Sequence, residues 1–343
     1  MKILMLLFLT CSIIPSFGQS PYLSVEEITR GERFTFPLIT SDNDLVDYKI
    51  NTYLQLAELE LLKGHEHDHI FERVALDDGT IYGGAAAIDY EILQNTHRAF
   101  SVKLDRSSCG ATCAYWNKYY NFNPQNGDRY FLQDFFGEAE FEVFKKLVTD
   151  RRKATLTDDL ERIELTEEVA EFVKGYVGSA IEEDDLEGFY FTKDSIYLDI
   201  FHLLGKHEKS AGLTLLTAVA ISDIAPLLNA FGESALISGR HLGSYEAQQG
   251  PQLYFGTIHD QYDFVMLIRQ DGETHHHGLY AYLKYGVGIY LDGKLQGDEY
   301  HFEEKNSQLE VTGNLSFQER GGVLTGTWTD PEATTTLTLH ARR

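Results

Sequence analysis

The feature that most constrains the fold is the spacing of glycine and alternating apolar residues in the last third of the chain. From Ser238 onward, short runs of alternating apolar and polar residues are separated by turn residues at roughly 8–12 positions, without helical periodicity. The expected strands are 254–258, 264–268, 278–282, 289–293, 309–313, 324–328 and 336–339. This pattern is typical of an antiparallel meander that curves or closes into a barrel, so we predict an all-β domain over residues 238–343.

The residues before this stretch mix two periodicities. Apolar residues between Asp42 and Leu62 follow helical spacing, whereas Ala99–Leu104 and Tyr115–Phe122 alternate with a period of two. Helices and strands interleave without regular βαβ spacing. The sequence therefore predicts an α+β N-terminal domain over residues 19–237, followed by the all-β domain.

The first 18 residues are typical of a secretory signal peptide. Lys2 is followed by a short apolar run and by small residues up to Gly18, after which cleavage is expected. The run is too short to span a membrane as a helix, and Phe8-Leu9-Thr10 lacks the small residue expected before a lipidated Cys11. We expect an exported protein, periplasmic or secreted, with no transmembrane segment in the mature chain.

The charge balance excludes one class of partner. The chain contains 53 acidic residues and 29 Lys and Arg residues, which gives a net charge of −24. A field of that sign repels phosphate backbones and anionic lipid. Nucleic acid is therefore not an expected partner, whereas cationic partners stay open.

Two cysteines, Cys109 and Cys113, remain after removal of the signal peptide. In an oxidising compartment two nearby cysteines are more often bonded than free, so we predict a disulfide that rigidifies a loop. A redox pair is the alternative, but such pairs usually have two intervening residues at a helix start. This pair has three, in a stretch rich in strand residues.

The aromatic segment that follows the cysteines is the candidate ligand-binding surface. Strand alternation would place Tyr115 and Tyr119 on one face and Trp116 and Tyr120 on the other. One face should pack on the core, and the other would suit a carbohydrate or a protein partner. In the alternative, both faces are covered and the strand is structural.

Two histidine clusters are candidates for metal binding. His65, His67 and His69 alternate with acidic residues, so an extended backbone would place three imidazoles on one face, where zinc is the favoured ion. No separate fourth ligand can be assigned, and a solvated polar linker is the alternative. In His275–His277, adjacent strand residues face opposite sides, so all three cannot bind one ion without a loop.

The sequence contains no motif of a known catalytic class. It has no Gly-x-Ser-x-Gly stretch and no glycine-rich phosphate loop, so no catalytic or cofactor-binding residue is assigned. The acidic runs 182–185 and 303–304 are interpreted as solvated loops. An envelope enzyme acting on cell-wall glycan, with carboxylates converging in an inter-domain cleft, is the first alternative function, and a metal-binding protein is the second.

The order of motifs in the N-terminal domain resembles a known family. Ala-Phe-Ser-Val and Tyr-Tyr-Asn-Phe-Asn strands precede an Asn-Gly turn, Phe-Leu-Gln-Asp-Phe-Phe at 131–136 and Phe-Tyr-Phe-Thr-Lys-Asp-Ser-Ile-Tyr-Leu at 189–198. This order is similar to the extracytoplasmic domain of RsiV-type anti-sigma factors and PdaC-type peptidoglycan deacetylases. The segment 109–113 replaces a Gly-Gly-Ala-His-Gly-like turn of that family, so no binding residue is carried over.

The C-terminal domain has a resemblance of its own. Its Gly-x-Tyr-x-Tyr, Leu-x-Gly and Gly-Thr-Trp elements at 278–282, 291–293 and 326–328 are similar to a β-rich module of exported proteins from Bacteroidetes-like bacteria.

The first resemblance implies an accessory, non-catalytic domain outside the cytoplasmic membrane, which in the RsiV type binds lysozyme. Lysozymes are commonly basic, so an acidic surface is compatible with such a partner. We therefore predict an exported, non-catalytic binding or envelope-associated protein that recognises cell-wall glycan or a basic protein such as lysozyme. The sequence does not predict the oligomeric state.

Overall fold

A computed structural model describes residues 22–65, 70–75, 84–110, 112–209, 212–239, 250–271 and 274–343. The predicted signal peptide lies outside these residues. None of the helices in the described part of the chain is long and apolar enough to cross a membrane. The predicted order, an α+β region followed by an antiparallel β-barrel, is confirmed.

A five-stranded sheet forms the first layer. Its strands, in spatial order, are β1 (Ser24–Arg30), β2 (Phe34–Thr40), β3 (Ala87–Asn95), β4 (Phe100–Cys109) and β5 (Cys113–Phe122). Neighbouring strands are antiparallel except β2 and β3, which are parallel. Helix α1 (Asp44–Leu59) begins after Asn43, whose side chain accepts a hydrogen bond from the Leu45 N–H and so caps the helix. The apolar residues of α1 and of the sheet share one core.

A helical hairpin and a small sheet form the second layer. Helices α2 (Glu138–Arg162) and α3 (Glu167–Glu183) precede the antiparallel strands β6 (Phe189–Phe191), β7 (Ser195–Asp199) and β8 (Leu216–Ala220). Short helical turns lie at Leu132–Phe135, Phe201–Leu203, Lys206–Lys209, Ile221–Ile224, Ala225–Leu227, Ala230–Gly232 and Glu233–Ser238. Phe144 and Val148 of α2 pack with Phe191 and Leu198 in a second core.

The C-terminal part is a closed, eight-stranded up-and-down barrel. Its strands are β9 (Gln252–Ile258), β10 (Tyr262–Asp271), β11 (His275–Tyr282), β12 (Ile289–Gln296), β13 (Glu299–Lys305), β14 (Val311–Arg320), β15 (Val323–Thr329) and β16 (Thr336–Arg342). Pairing of β16 with β9 closes the barrel and leaves no free sheet edge. Residues 240–249, just after the predicted boundary, lie outside the described part of the chain, so the domain boundaries stay predictions.

Strand β10 is apolar on both faces because it borders two cores. Phe264 and Met266 point into the barrel, whereas Val265 and Leu267 pack with helix α1 and the first sheet. The Gly288 N–H also donates to the Glu60 carbonyl at 2.8 Å, just beyond the end of α1. The outer wall of the barrel is thus joined directly to the α+β region.

Strand β13 was not predicted, and the interpretation of run 303–304 as a solvated loop is wrong for Glu304. This side chain is buried inside the barrel. Its carboxylate accepts hydrogen bonds from Tyr280 Oη at 2.5 Å, Trp328 Nε1 at 2.7 Å and Thr312 Oγ1 at 2.8 Å. Because these donors come from three other strands, only the closed barrel brings them to Glu304.

Candidate functional site

A cleft of about 870 Å³ lies between the α+β region and the outer face of the barrel. Tyr53 and Ala57 of α1 and residues 116–120 of β5 line one side of it. One rim is formed by Glu183, Asp185, Glu187, Gly188, His202 and Leu203, and strands β10, β11 and β12 of the barrel form the facing wall. The volume lies within the ~300–1,000 Å³ typical of small-ligand sites.

A buried carboxylate, Glu58, joins α1 to β5 beside the cleft. It accepts hydrogen bonds from Lys118 Nζ at 2.8 Å, Arg106 Nη1 at 3.1 Å and the Tyr120 hydroxyl. Burial alone would raise the pKa of Glu58, but Lys118 and Arg106 outweigh it and hold the pKa below its usual range. Glu58 is therefore an ionised structural anchor, which also orients Tyr120.

The opposite face of β5 is held by a second carboxylate, Asp199. Tyr119 Oη donates to Asp199 Oδ2 at 2.5 Å, and Asn117 Nδ2 donates to the same oxygen at 3.0 Å. Burial and the charges of these carboxylates raise the pKa of Tyr119 and of Tyr120, so both hydroxyls stay protonated donors. Both faces of β5 are therefore covered at these two tyrosines.

The four aromatic residues predicted as a ligand-binding surface separate in the structure. Trp116, Tyr119 and Tyr120 line the cleft, whereas Tyr115 lies outside it with 54% of its surface exposed. Trp116 is half-buried, whereas Tyr119 and Tyr120 are buried, with 6% and 3% of their surface exposed. Their role in binding stays a prediction.

Arg129 supplies a cation to the cleft wall that the sequence did not single out. Its guanidinium lies 4.7–4.8 Å from the ring centres of Tyr53, Tyr120 and Phe131, and it donates to the Tyr53 hydroxyl. Within the described residues no carboxylate forms a salt bridge with it, and its Nε–H is buried without a hydrogen-bond partner. The rings instead stabilise the charge through cation–π contacts.

One rim of the cleft is acidic. Glu183, Asp185 and Glu187 are exposed there, and partial desolvation together with the charge of Glu187 raises the pKa of Asp185. The interpretation of run 182–185 as solvated is wrong for Asp184, which is fully buried and paired with Arg152. Folding places that arginine, 32 positions earlier on α2, beside it.

Asp184, Asp185 and His202 bring three metal-capable atoms within 4.8 Å of one another. However, Arg152 already binds Asp184 Oδ2, and the Leu186 N–H donates to Asp184 Oδ1 at 3.0 Å. Both carboxylate oxygens of Asp184 thus accept hydrogen bonds from the protein, and the residue is fully buried, so neither oxygen is left open to a cation.

The two histidine clusters have different outcomes. His67 and His69 lie outside the described residues, so the predicted site with His65 stays a prediction. In the barrel, His276 is buried, whereas His275 and His277 share the outer face with Asp292. The sequence did not indicate Asp292 as a neighbour of these two histidines, because it lies on the next strand, directly opposite His277.

The Sγ atoms of Cys109 and Cys113 lie 2.17 Å apart, at the distance of a disulfide, where the β4–β5 hairpin ends. The bond closes a ring of only five residues. Replacing both cysteines with serine is expected to lower the free energy of unfolding by about 2 kcal/mol or less, because so short a loop constrains the unfolded chain little. Urea unfolding of the double variant measures this, and a loss above about 4 kcal/mol would show that the bond holds more than the hairpin.

Comparison with known proteins finds distant similarity at the level of structure. No protein-family model matches the chain, and no curated protein matches it. Among solved structures, the chain is similar to a member of the DUF3298 family from Bacteroides fragilis. The two share 16% sequence identity with a TM-score of 0.42, over 64% of this chain and 98% of that one. A similarity at this level says nothing of function, which rests on the site's own geometry.

Proposed function

We propose that the protein is an exported, non-catalytic binding protein of the cell envelope, and that its cleft binds a short segment of cell-wall glycan. The observation that carries this proposal is the cleft itself, about 870 Å³ in volume and lined by both parts of the molecule. The resemblance of the N-terminal domain to extracytoplasmic domains supports a location outside the cytoplasmic membrane.

The aromatic residues of the cleft favour a sugar. Trp116 on β5 and Tyr290 on β12 are half-buried and line the cleft from its two sides. A rigid ring with a partly accessible surface can stack on the C–H face of a pyranose at little entropic cost. Two such rings in one groove favour an extended saccharide over a compact polar metabolite.

The charged residues of the cleft suit the substituents of a cell-wall glycan, which carries amide and carboxylate groups. Arg129 and Arg269 line the cleft as cations, and Asp185 and Glu187 lie on the rim as hydrogen-bond acceptors. Among the described residues no carboxylate forms a salt bridge with Arg129, whose guanidinium instead lies against aromatic rings. A ligand carboxylate near this guanidinium would gain a charge-assisted hydrogen bond.

The buried carboxylates beside the cleft favour binding over catalysis. Glu58 accepts hydrogen bonds from three side chains, and Asp199 accepts from Tyr119 and Asn117. A general acid or nucleophile needs an oxygen free to reach the substrate. These two groups hold the wall together instead.

One observation favours a glycan hydrolase as the second candidate. Asp185 lies at the rim with a raised pKa, as a general acid requires, and Glu183 and Glu187 flank it. In that case the purified protein would release reducing ends from cell-wall glycan, and Asp185→Asn would abolish the release.

Intrinsic fluorescence provides a direct test of glycan binding, because the chain has two tryptophans in different places. Trp116 lines the cleft, whereas Trp328 donates a hydrogen bond to Glu304 inside the barrel. Titration with soluble peptidoglycan fragments is expected to change the emission of the wild type and of Trp328→Phe, but not that of Trp116→Phe. Trp116→Ala is expected to weaken binding at least tenfold, the loss of about 1.4 kcal/mol, as measured by calorimetry.

Tyr115→Ala is the matched control, since it removes a neighbouring aromatic side chain outside the cleft and should leave affinity unchanged. Absence of saturable binding, or equal affinity for Trp116→Ala, would contradict the proposal. Released reducing ends would support the hydrolase. Capture of lysozyme that survives Trp116→Ala would place recognition on the acidic surface instead of in the cleft.

A further inference from the structure

We propose that His275, His277 and Asp292 form a divalent-metal site on the outer face of the barrel, with zinc as the favoured ion. Nitrogen and carboxylate donors in a two-to-one ratio suit zinc among the common biological cations. This site is separate from the predicted cluster at residues 65–69, and it does not depend on the proposed glycan function.

Strand register brings the three donors together. His275 and His277 are two residues apart on β11 and therefore share a face, and β12 places Asp292 directly opposite His277. Their three ligand atoms all lie within 4.8 Å of one another. Strands β11 and β12, which carry the donors, are each paired with a neighbouring strand on both sides within the closed barrel, so the donors are held on a rigid support.

The donor spacing fits a tetrahedral ion. Asp292 Oδ1 lies 3.2 Å from His275 Nε2 and 3.7 Å from His277 Nδ1. Zinc bonds of about 2.0–2.1 Å at tetrahedral angles separate neighbouring donors by about 3.3–3.4 Å. The donors of His275 and His277 lie within 4.8 Å of each other, so rotamer adjustment could bring the three side chains onto one ion.

The surrounding groups have the arrangement that metal ligands usually need. His277 Nε2 lies 3.2 Å from Asp271 Oδ2, so a carboxylate stands near the ring nitrogen opposite the ligating Nδ1, where it can accept a hydrogen bond from the Nε2–H. Lys305 Nζ lies 2.5 Å from Asp292 Oδ2 and leaves Oδ1 for the ion. The first contact favours the imidazole tautomer that carries its proton on Nε2, and the second favours monodentate coordination by the carboxylate.

The site would keep one open position. Three protein ligands leave the fourth corner of a zinc tetrahedron to water or to an oxygen of another molecule. His277 and Asp292 also line the cleft, and both are partly accessible to solvent. The open corner would therefore be in reach of a molecule in the cleft.

Calorimetric titration of the mature protein with zinc chloride tests the assignment. We expect one equivalent bound at the barrel site, and His277→Ala and Asp292→Asn should each weaken it at least tenfold. Cobalt should give the visible absorption of a four-coordinate ion in the wild type and lose it in these variants. His340→Ala, on β16 and outside the donor group, is the matched control and should bind zinc as the wild type does.

Asp271→Asn distinguishes a built site from chance proximity of side chains. It keeps all three ligands but weakens the acceptor for the His277 ring proton, and we expect affinity to fall about tenfold. Circular dichroism of each variant checks that the barrel is intact. No zinc binding by the wild type, or equal affinity for folded His277→Ala, would overturn the proposal.

The second histidine cluster needs its own variant. In the triple substitution His65→Ala, His67→Ala and His69→Ala, the barrel site should still bind one equivalent of zinc. Loss of all zinc binding in this variant would overturn the assignment to the barrel.

Discussion

Replacing Glu58 with glutamine is expected to lower the free energy of unfolding by about 3 kcal/mol, because it removes the buried charge that pairs with both Arg106 and Lys118. Glu58 is fully buried, and its partners Arg106 and Lys118 keep 13% and 43% of their side-chain surface exposed. Glutamine keeps the volume but not the charge, so Arg106 would remain largely desolvated without its counter-ion. Chemical unfolding of the variant and the wild type measures the difference.

The effect of Glu58→Gln should also depend on pH. The pKa of Glu58 in the folded protein lies below its ordinary value of 4.5, so its contribution is fully present above about pH 4.5. It is lost as the pH falls through the lowered folded-state pKa. The stability difference between wild type and variant should therefore be largest near pH 7 and narrow as the pH falls below 4.5, the ordinary pKa of a glutamate.

Glu171→Gln is the control for this substitution. Its side chain is 73% exposed on α3, with Lys174 at 3.9 Å, so the same change of charge should alter stability by no more than about 0.5 kcal/mol. Equal losses for Glu58→Gln and Glu171→Gln would show that the buried network is not a specific anchor.

Replacing Asp184 with asparagine is expected to cost about 3–5 kcal/mol, the range measured when one partner of a buried ion pair is removed. Asp184 is 0% exposed and Arg152 3% exposed in their side chains. Arg152 Nε and Nη2 already lack hydrogen-bond partners among the described residues, so the variant would leave a buried guanidinium without its counter-ion. The ion pair joins α2, which carries Arg152, to the end of α3 at the cleft rim, where Asp184 lies. Amide hydrogen exchange should therefore become faster in helices α2 and α3 of the variant.

Two further variants make this prediction specific. Asp150→Asn, on the same helix, removes an exposed carboxylate paired with Lys146 and should change stability by no more than about 0.5 kcal/mol. The double variant Arg152→Met and Asp184→Leu removes both charges, so it should be clearly more stable than Asp184→Asn. If the double variant is the less stable of the two, burial of an unpaired charge is not the cause.

Local patterns predicted most of the barrel. Alternation and turn residues indicated seven of its eight strands, because a strand with one polar face shows a period of two in the chain itself. Strand β13 escaped prediction because Glu303-Glu304 resembles a solvated run. Its inward carboxylate is tolerated only because donors from three other strands surround it.

The candidate site was predictable only in part. The aromatic segment 115–120 and the cysteine pair stood out because their residues are adjacent in the chain. Arg129 and Tyr290 did not, since each is an ordinary residue until folding places it in the cleft. The metal site proposed at His275 and His277 includes a third ligand, Asp292, which the sequence did not indicate. Only the pairing of β11 with β12 brings Asp292 opposite His277.

The amino-acid sequence by itself determined the order of the two regions, an α+β region followed by an antiparallel barrel, and the position of a cysteine pair between two strands. These features depend on neighbours within about ten positions, whose spacing sets which face each side chain takes. Only the tertiary structure decided which charges are buried and which side chains meet in the cleft. Those outcomes depend on contacts between residues such as Arg152 and Asp184 or Arg129 and Tyr53, which are 32 and 76 positions apart and are brought together only by packing.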